Sequence, residues 1–129
     1  MKTEYTVTVL EASRELTPKE KVSLKNSNGA IKLDEATKTG DALLKPVGFA
    51  VLAIHNEKSA DKDYQQYVIF DASGDKYITG SKSFFETFMD IYTELNSETG
   101  EQLEDYSLRV FRKPSKNYKG KEFITCDVI

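Results

Sequence analysis

The sequence predicts a mainly β domain with one long helix. Its five or six antiparallel strands either roll into a small barrel or stay as an open antiparallel α+β sheet packed on that helix. Three observations carry this. Most apolar residues recur at every second position, or in runs of strand length, as strands require. After Gly80 the spacing turns helical and stays so for about a dozen residues. The 129 residues contain no internal repeat, low-complexity tail or compositional break, so 1–129 reads as one domain able to bury its own core.

The elements follow in order. Tyr5 to Leu10 alternates β-formers, which places a first strand over 4–12. Thr17 and Glu20 form a capping box around Pro18 at the first helical position, so a short helix should run to about Lys25. The stretch from Ala30 to Lys45 is the least legible. Val47 to Ile54 is apolar almost throughout and should be a central strand buried on both faces. Tyr64 to Phe70 is a second central strand, and Ala72-Ser-Gly-Asp75 turns it into Lys76 to Thr79. Ser83 with Glu86 reads as another capping box. It opens a helix over about 83–96, whose stripe is Phe84, Phe88, Ile91 and Leu95, flanked by Phe85, Met89 and Tyr92. An acidic linker, Glu101 to Asp105, leads into two last strands. A helix set before the final strand pair is the element order of the OB-fold, a small Greek-key barrel that binds oligonucleotides.

Those last strands carry the candidate site. Tyr106, Leu108 and Val110 alternate with Arg109, Phe111 and Lys113, while Ile124, Cys126 and Val128 alternate with Phe123 and Thr125. If the aliphatic faces go inward, Arg109, Phe111, Lys113 and Phe123 face out. The intervening loop, Pro114 to Lys121, sets Lys116, Lys119 and Lys121 around Tyr118. Cations and aromatic rings on one surface suit a single-stranded nucleic acid, whose phosphates need neutralising and whose bases stack. The stacking candidates are Tyr118, Phe111 and Phe123. The phosphate candidates are Arg109, Arg112, Lys113, Lys116, Lys119 and Lys121. Tyr67 and Tyr77 join if their strands flank the hairpin. Residues 109–129 carry six Lys or Arg against two acids, a charge of +4, whereas the rest of the chain carries −7 within a net charge of −3. An acidic body with one basic hairpin concentrates its attraction for anions there. The plainer alternative is a solvated hairpin whose lysines protect an edge strand.

Other chemistry finds little support. The single histidine, His55, and the single cysteine, Cys126, are far apart in sequence, and no local signature surrounds either. Cys126 reads as a buried structural thiol. No metal-ligand spacing and no phosphate-cradling glycine loop is present. The acidic pairs Asp34, Glu35 and Asp61, Asp63 read as solvated loop residues. A non-enzymatic protein without cofactor is therefore expected. The Met1 to Val9 segment lacks a signal peptide's apolar region, and no apolar run approaches the roughly 20 residues that span a bilayer. With one cysteine and no internal disulfide, a cytoplasmic, membrane-free setting is expected.

The chain resembles the single-stranded DNA-binding proteins of phages and conjugative plasmids of Gram-positive bacteria. The resemblance rests on Tyr77-Ile-Thr-Gly-Ser81 leading into Phe84-Phe85, and on Pro114-Ser-Lys-Asn-Tyr-Lys-Gly-Lys-Glu-Phe-Ile-Thr-Cys126. Thr3-Glu-Tyr-Thr-Val7 and Ala30-Ile-Lys-Leu-Asp-Glu-Ala36 extend it along nearly the whole chain. It implies an OB-like protein that coats single strands in replication, recombination or transfer, with the binding residues on the basic hairpin. RNA in place of DNA, a homo-oligomer, and contacts with replication or recombination proteins stay open. Bacterial relatives commonly end in a disordered acidic tail. This chain ends Thr125-Cys-Asp-Val-Ile129, so recruitment by that route is not expected. A different class of function, a small phage or plasmid module whose hairpin meets an acidic surface of a host protein, is the alternative.

Overall fold

Strand β4 (Pro46–Asn56) organises the fold: it is eleven residues long and paired on both sides, with β1 (Tyr5–Ala12) and β5 (Asp63–Asp71). The protein is described by a computed structural model covering residues 5–25, 29–58, 62–116 and 119–129. The order along the chain is β1, α1 (Pro18–Lys25), β2 (Ile31–Lys32), α2 (Leu33–Ala36), β3 (Ala42–Leu44), β4, β5, β6 (Lys76–Thr79), α3 (Lys82–Leu95), β7 (Leu108–Pro114) and β8 (Glu122–Val128). One sheet runs β1-β4-β5-β6-β2 and a second runs β3-β7-β8. The fold is mainly β, at 45% strand and 22% helix. No helix is long and apolar enough to cross a membrane.

The continuous apolar run of β4 is buried on both faces, as its pattern demands. Ala50, Leu52 and Ile54 join a cluster with Val7, Val68, Ile78 and Leu24 of α1. Phe49 and Val51 look the other way, into a cluster with Phe84, Phe85, Phe88 and Tyr92 of α3 and with Leu108, Val110, Ile124 and Cys126 of the second sheet. The second sheet and α3 thus share one core against one face of the large sheet, while α1 covers the opposite face.

Three expectations need correction. No closed barrel forms. A barrel of this size is filled by its own inward side chains, whereas here α3 supplies four aromatic rings to the core that both sheets share. The open-sheet alternative lies nearer, although β2 pairs with β6 in parallel, over Ile31↔Tyr77 and Lys32↔Ile78. Among the described residues there are three helices, because the single turn α2 adds to the short α1 and the long α3 that the sequence predicts. Finally, the N-cap of α3 is Ser81, whose Oγ accepts from the Phe84 amide at 3.2 Å. Ser83 lies inside the first turn. Both serines precede the apolar stripe, and the spacing of Ser83 to Glu86 imitated a box that the backbone does not use.

At α1 the capping box is present as expected. Thr17 Oγ1 accepts from the Glu20 amide at 3.2 Å, and Glu20 accepts from the Thr17 amide at 2.9 Å. The Arg14 guanidinium also grips Glu20 and holds its carboxyl down at about 2. The end of α3 is tied down by buried Asn96. Its amide donates to the carbonyls of Pro46 and Gly100, each at 2.9 Å, and its oxygen accepts from the Tyr106 hydroxyl. Burial pushes the Tyr106 phenol up to about 12, so it stays a donor. Gly100 has φ +97°, and a Cβ there would lie 2.1 Å from the Val47 carbonyl, so only glycine fits.

Candidate nucleic-acid interface

The hairpin β7–β8 takes the register Arg109↔Asp127, Phe111↔Thr125 and Lys113↔Phe123. Side chains alternate across a strand, so these six share one face, and Leu108, Val110, Ile124 and Cys126 go into the core on the other. Val128, expected inward with Cys126, is instead 44% exposed at the end of β8. Phe111 and Phe123 are diagonal neighbours on the outward face, a separation of roughly 7–8 Å between strand positions. Phe123 is 43% exposed. Leu43 of β3 pairs with Arg109 from the other side and is 60% exposed.

The cations of this face are not equivalent. Arg109 makes a bidentate pair with Asp127, at 3.1 and 2.9 Å, and approaches Asp41 at 3.6 Å. Its guanidinium also lies 4.4 Å from the centre of the Phe111 ring. The hydrogen bonds from Arg109 hold the Asp127 carboxyl below its ordinary range. Lys113, 5.8 Å from the same ring, has no such partner among the described residues. Arg112 is on the inward face. It donates to Thr37 Oγ1 at 3.2 Å and to the Asp34 carbonyl at 2.5 Å, bracing α2 against the sheet. Lys113, Lys116, Lys121 and Phe123 line one cleft of about 660 Å³ with Pro114, Ser115 and Glu122. A bond from the Ser115 amide to the Lys121 carbonyl closes the base of that loop. Lys119 is exposed beside it, and Tyr118 lies outside the described residues.

The structure therefore brings Phe111, Lys113, Phe123, Lys116 and Lys121 together, with Arg109 present but already neutralised. Tyr67 and Tyr77 do not join. Tyr67 is 5% exposed and stacked 4.4 Å from Phe85, Tyr77 packs on the same core, and both strands belong to the other sheet. Leu43, Thr125, Asp41 and Asp127 were not picked out from sequence. Asp127 had a usable signal, since pairing the hairpin in register puts it opposite Arg109. The buried Cys126 thiol is pushed up to about 12 by desolvation, which keeps it protonated and inert.

A charged cluster lies away from this face, at the tip of β4–β5. His55 Nδ1 is 2.7 Å from Asp63 Oδ1, and Nε2 is 2.8 Å from Glu57 Oε1. Only a ring protonated at both nitrogens can donate to both, so the pKa of His55 is raised, first by Asp63 and then by Glu57. Stability from this contact is present below the ordinary value of about 6.5 and is lost as pH rises through the raised folded value. The chain has one histidine, so its NMR ring signal is unambiguous. It is expected to titrate above about 6.5, and a midpoint at or below that value would contradict the geometry. Among the described residues no group of three His, Cys, Asp or Glu could hold a metal ion.

No family model matches the chain, and neither a curated protein nor a solved structure matches it.

Proposed function

We propose that the chain is a non-enzymatic binder of single-stranded DNA with little sequence preference, acting through the outward face of β3-β7-β8. The observation that carries this reading is the placement of Phe111 and Phe123 as diagonal neighbours on one outward face, with Lys113 directly across from Phe123 and Lys116 and Lys121 on the adjoining cleft. The rings offer planes for bases, and the ammonium groups offer counter-charges for the backbone. A barrel is not required, since an open sheet presents the same row of side chains. Replication, recombination or transfer of a phage or plasmid in a bacterial cytoplasm is the setting that the sequence resemblance supports.

The test is fluorescence anisotropy with a labelled oligo-dT of about 30 nucleotides, several OB-type site sizes, at several salt concentrations. Binding should be much tighter than to a duplex of the same length, because pairing hides the faces of the bases. Equal affinity for the two forms would defeat the stacking mechanism. Lys113→Ala and Lys121→Ala should each weaken binding and flatten the plot of log affinity against log salt, by up to about 0.7 for each phosphate that is no longer neutralised. Arg109→Ala should change the slope less, since its charge is already met by Asp127 and Asp41.

A second reading, a docking face for a host protein, is favoured by one observation. Leu43 adds an exposed aliphatic side chain to the same face. Leu43→Ser would then abolish partner binding while leaving oligo-dT affinity unmeasurable in both forms.

A further inference from the structure

The outward face of β7–β8 is divided along its length. At one end Lys113, Lys116 and Lys121 line the cleft against a single acid, Glu122. At the other end one cation meets two carboxylates. All three nitrogens of the Arg109 guanidinium face an acid: Nε and Nη2 lie 3.1 and 2.9 Å from Asp127, and Nη1 lies 3.6 Å from Asp41. The ends are roughly 14 Å apart along β8, the four residues from Phe123 to Asp127 at about 3.4 Å each. A planar guanidinium fork takes a phosphate with the same paired bonds that it gives a carboxylate. Asp127 therefore occupies the edge of Arg109 that a backbone phosphate would use. Exposed ion pairs add little to stability, so holding the fold together is a weak account of two acids on one arginine.

We propose that Asp127, seconded by Asp41, is a negative determinant of nucleic-acid binding: it holds Arg109 off the phosphate backbone and ends the binding face at Phe111. This rests on the single-strand reading of that face. With Arg109 engaged, the three lysines at the far end carry the charge of the contact. The bond pattern that masks the arginine is the one a phosphate must replace, so Asp127 sets how much of the hairpin's positive charge a single strand can use. Phe111 keeps the masked group within reach. Its ring holds the guanidinium on the outward face at 4.4 Å, so an arginine that loses Asp127 stays where a phosphate can meet it.

The test uses the full chain and compares Asp127→Asn with the parent on oligo-dT, by anisotropy from about 50 to about 200 mM salt. Freed from its main partner, Arg109 adds one phosphate contact, so affinity should rise and the salt slope should steepen by up to about 0.7. The advantage over the parent should then shrink by up to about 2.6-fold across that fourfold range of salt. Asp41→Asn, which removes the longer contact, should show a smaller gain of the same kind. The gain must run through the arginine, so Asp127→Asn added to Arg109→Ala should give little or none of it. A gain of equal size without Arg109 would mean plain repulsion by Asp127 and overturns the proposal. Both carboxylates are well exposed, and circular dichroism checks the fold. If Asp127→Asn does not fold, Asp41→Asn decides by the same two readouts. If neither parent nor Asp127→Asn binds single strands, the nucleic-acid reading fails and this inference with it. A parent that binds, matched by Asp127→Asn in affinity and slope, ends this inference alone.

Discussion

Phe88→Ala is expected to lower the free energy of unfolding by about 3–5 kcal/mol, a large share of the roughly 5–15 kcal/mol that holds a typical domain folded. Phe88 is 0% exposed, and its ring lies 6.5, 5.7 and 5.4 Å from those of Phe84, Phe85 and Tyr92. That aromatic row is what the large sheet and the hairpin sheet both pack against, so a void there loosens two sheets at once. Urea unfolding should show a lower midpoint with an unchanged slope. Phe123→Ala is the control. Its ring stands on the outside of β8, so removing it should cost within about 0.5 kcal/mol. Equal destabilisation by the two changes would mean that α3 is not the element joining the sheets.

What could be read from sequence follows from how each element is stabilised. Strand β4 was legible because burial on both faces leaves an unbroken apolar run, and α3 because its aromatic stripe repeats with the helical turn. Helix α1 announced itself through the reciprocal bonds of Thr17 and Glu20. Strands β2 and β3 did not, because pieces of two and three residues pair through backbone at a sheet edge and need no alternation. In that stretch only Leu33, Thr37 and Leu44 are buried. Barrel closure was undecidable from strand order, since it turned on where the aromatic face of α3 would go.

The candidate site divides along the same line. Local alternation was enough to put Phe111, Lys113 and Phe123 on one face. The arginines divide. Arg109 is held chiefly by Asp127 across its own hairpin, and only its longer contact with Asp41 comes from the segment that could not be read, whereas both partners of Arg112, Thr37 and Asp34, lie there. Arg112, counted among the phosphate candidates, shares its side of β7 with Leu108 and Val110, away from Phe111, and is taken up by Thr37 and the Asp34 carbonyl.

Phe123→Ala, stable by the argument above, is expected to weaken oligo-dT binding by about 1–3 kcal/mol, roughly 5- to 150-fold, with the salt slope nearly unchanged. Stacking releases no counterions, so removing the ring shifts the plot of log affinity against log salt without tilting it. Phe123→Tyr should keep most of the affinity, because stacking uses the ring plane and not the para position. Phe111→Ala should show the smaller effect of the pair. One side of its ring already carries the Arg109 guanidinium at 4.4 Å, and it is half-buried. Removing that ring also leaves Arg109 held by Asp127 alone on its own strand pair, so a steeper salt slope in Phe111→Ala would report the arginine swinging toward phosphate. The contrast between the two phenylalanines separates a stacking face from a merely cationic one. On a cationic face both ring deletions would be silent and only the lysines would register. If folded Phe123→Ala and Lys113→Ala both bind oligo-dT as the parent does, the hairpin face is not a nucleic-acid site, and its apolar strip of Leu43, Phe111 and Phe123 is left to a protein partner.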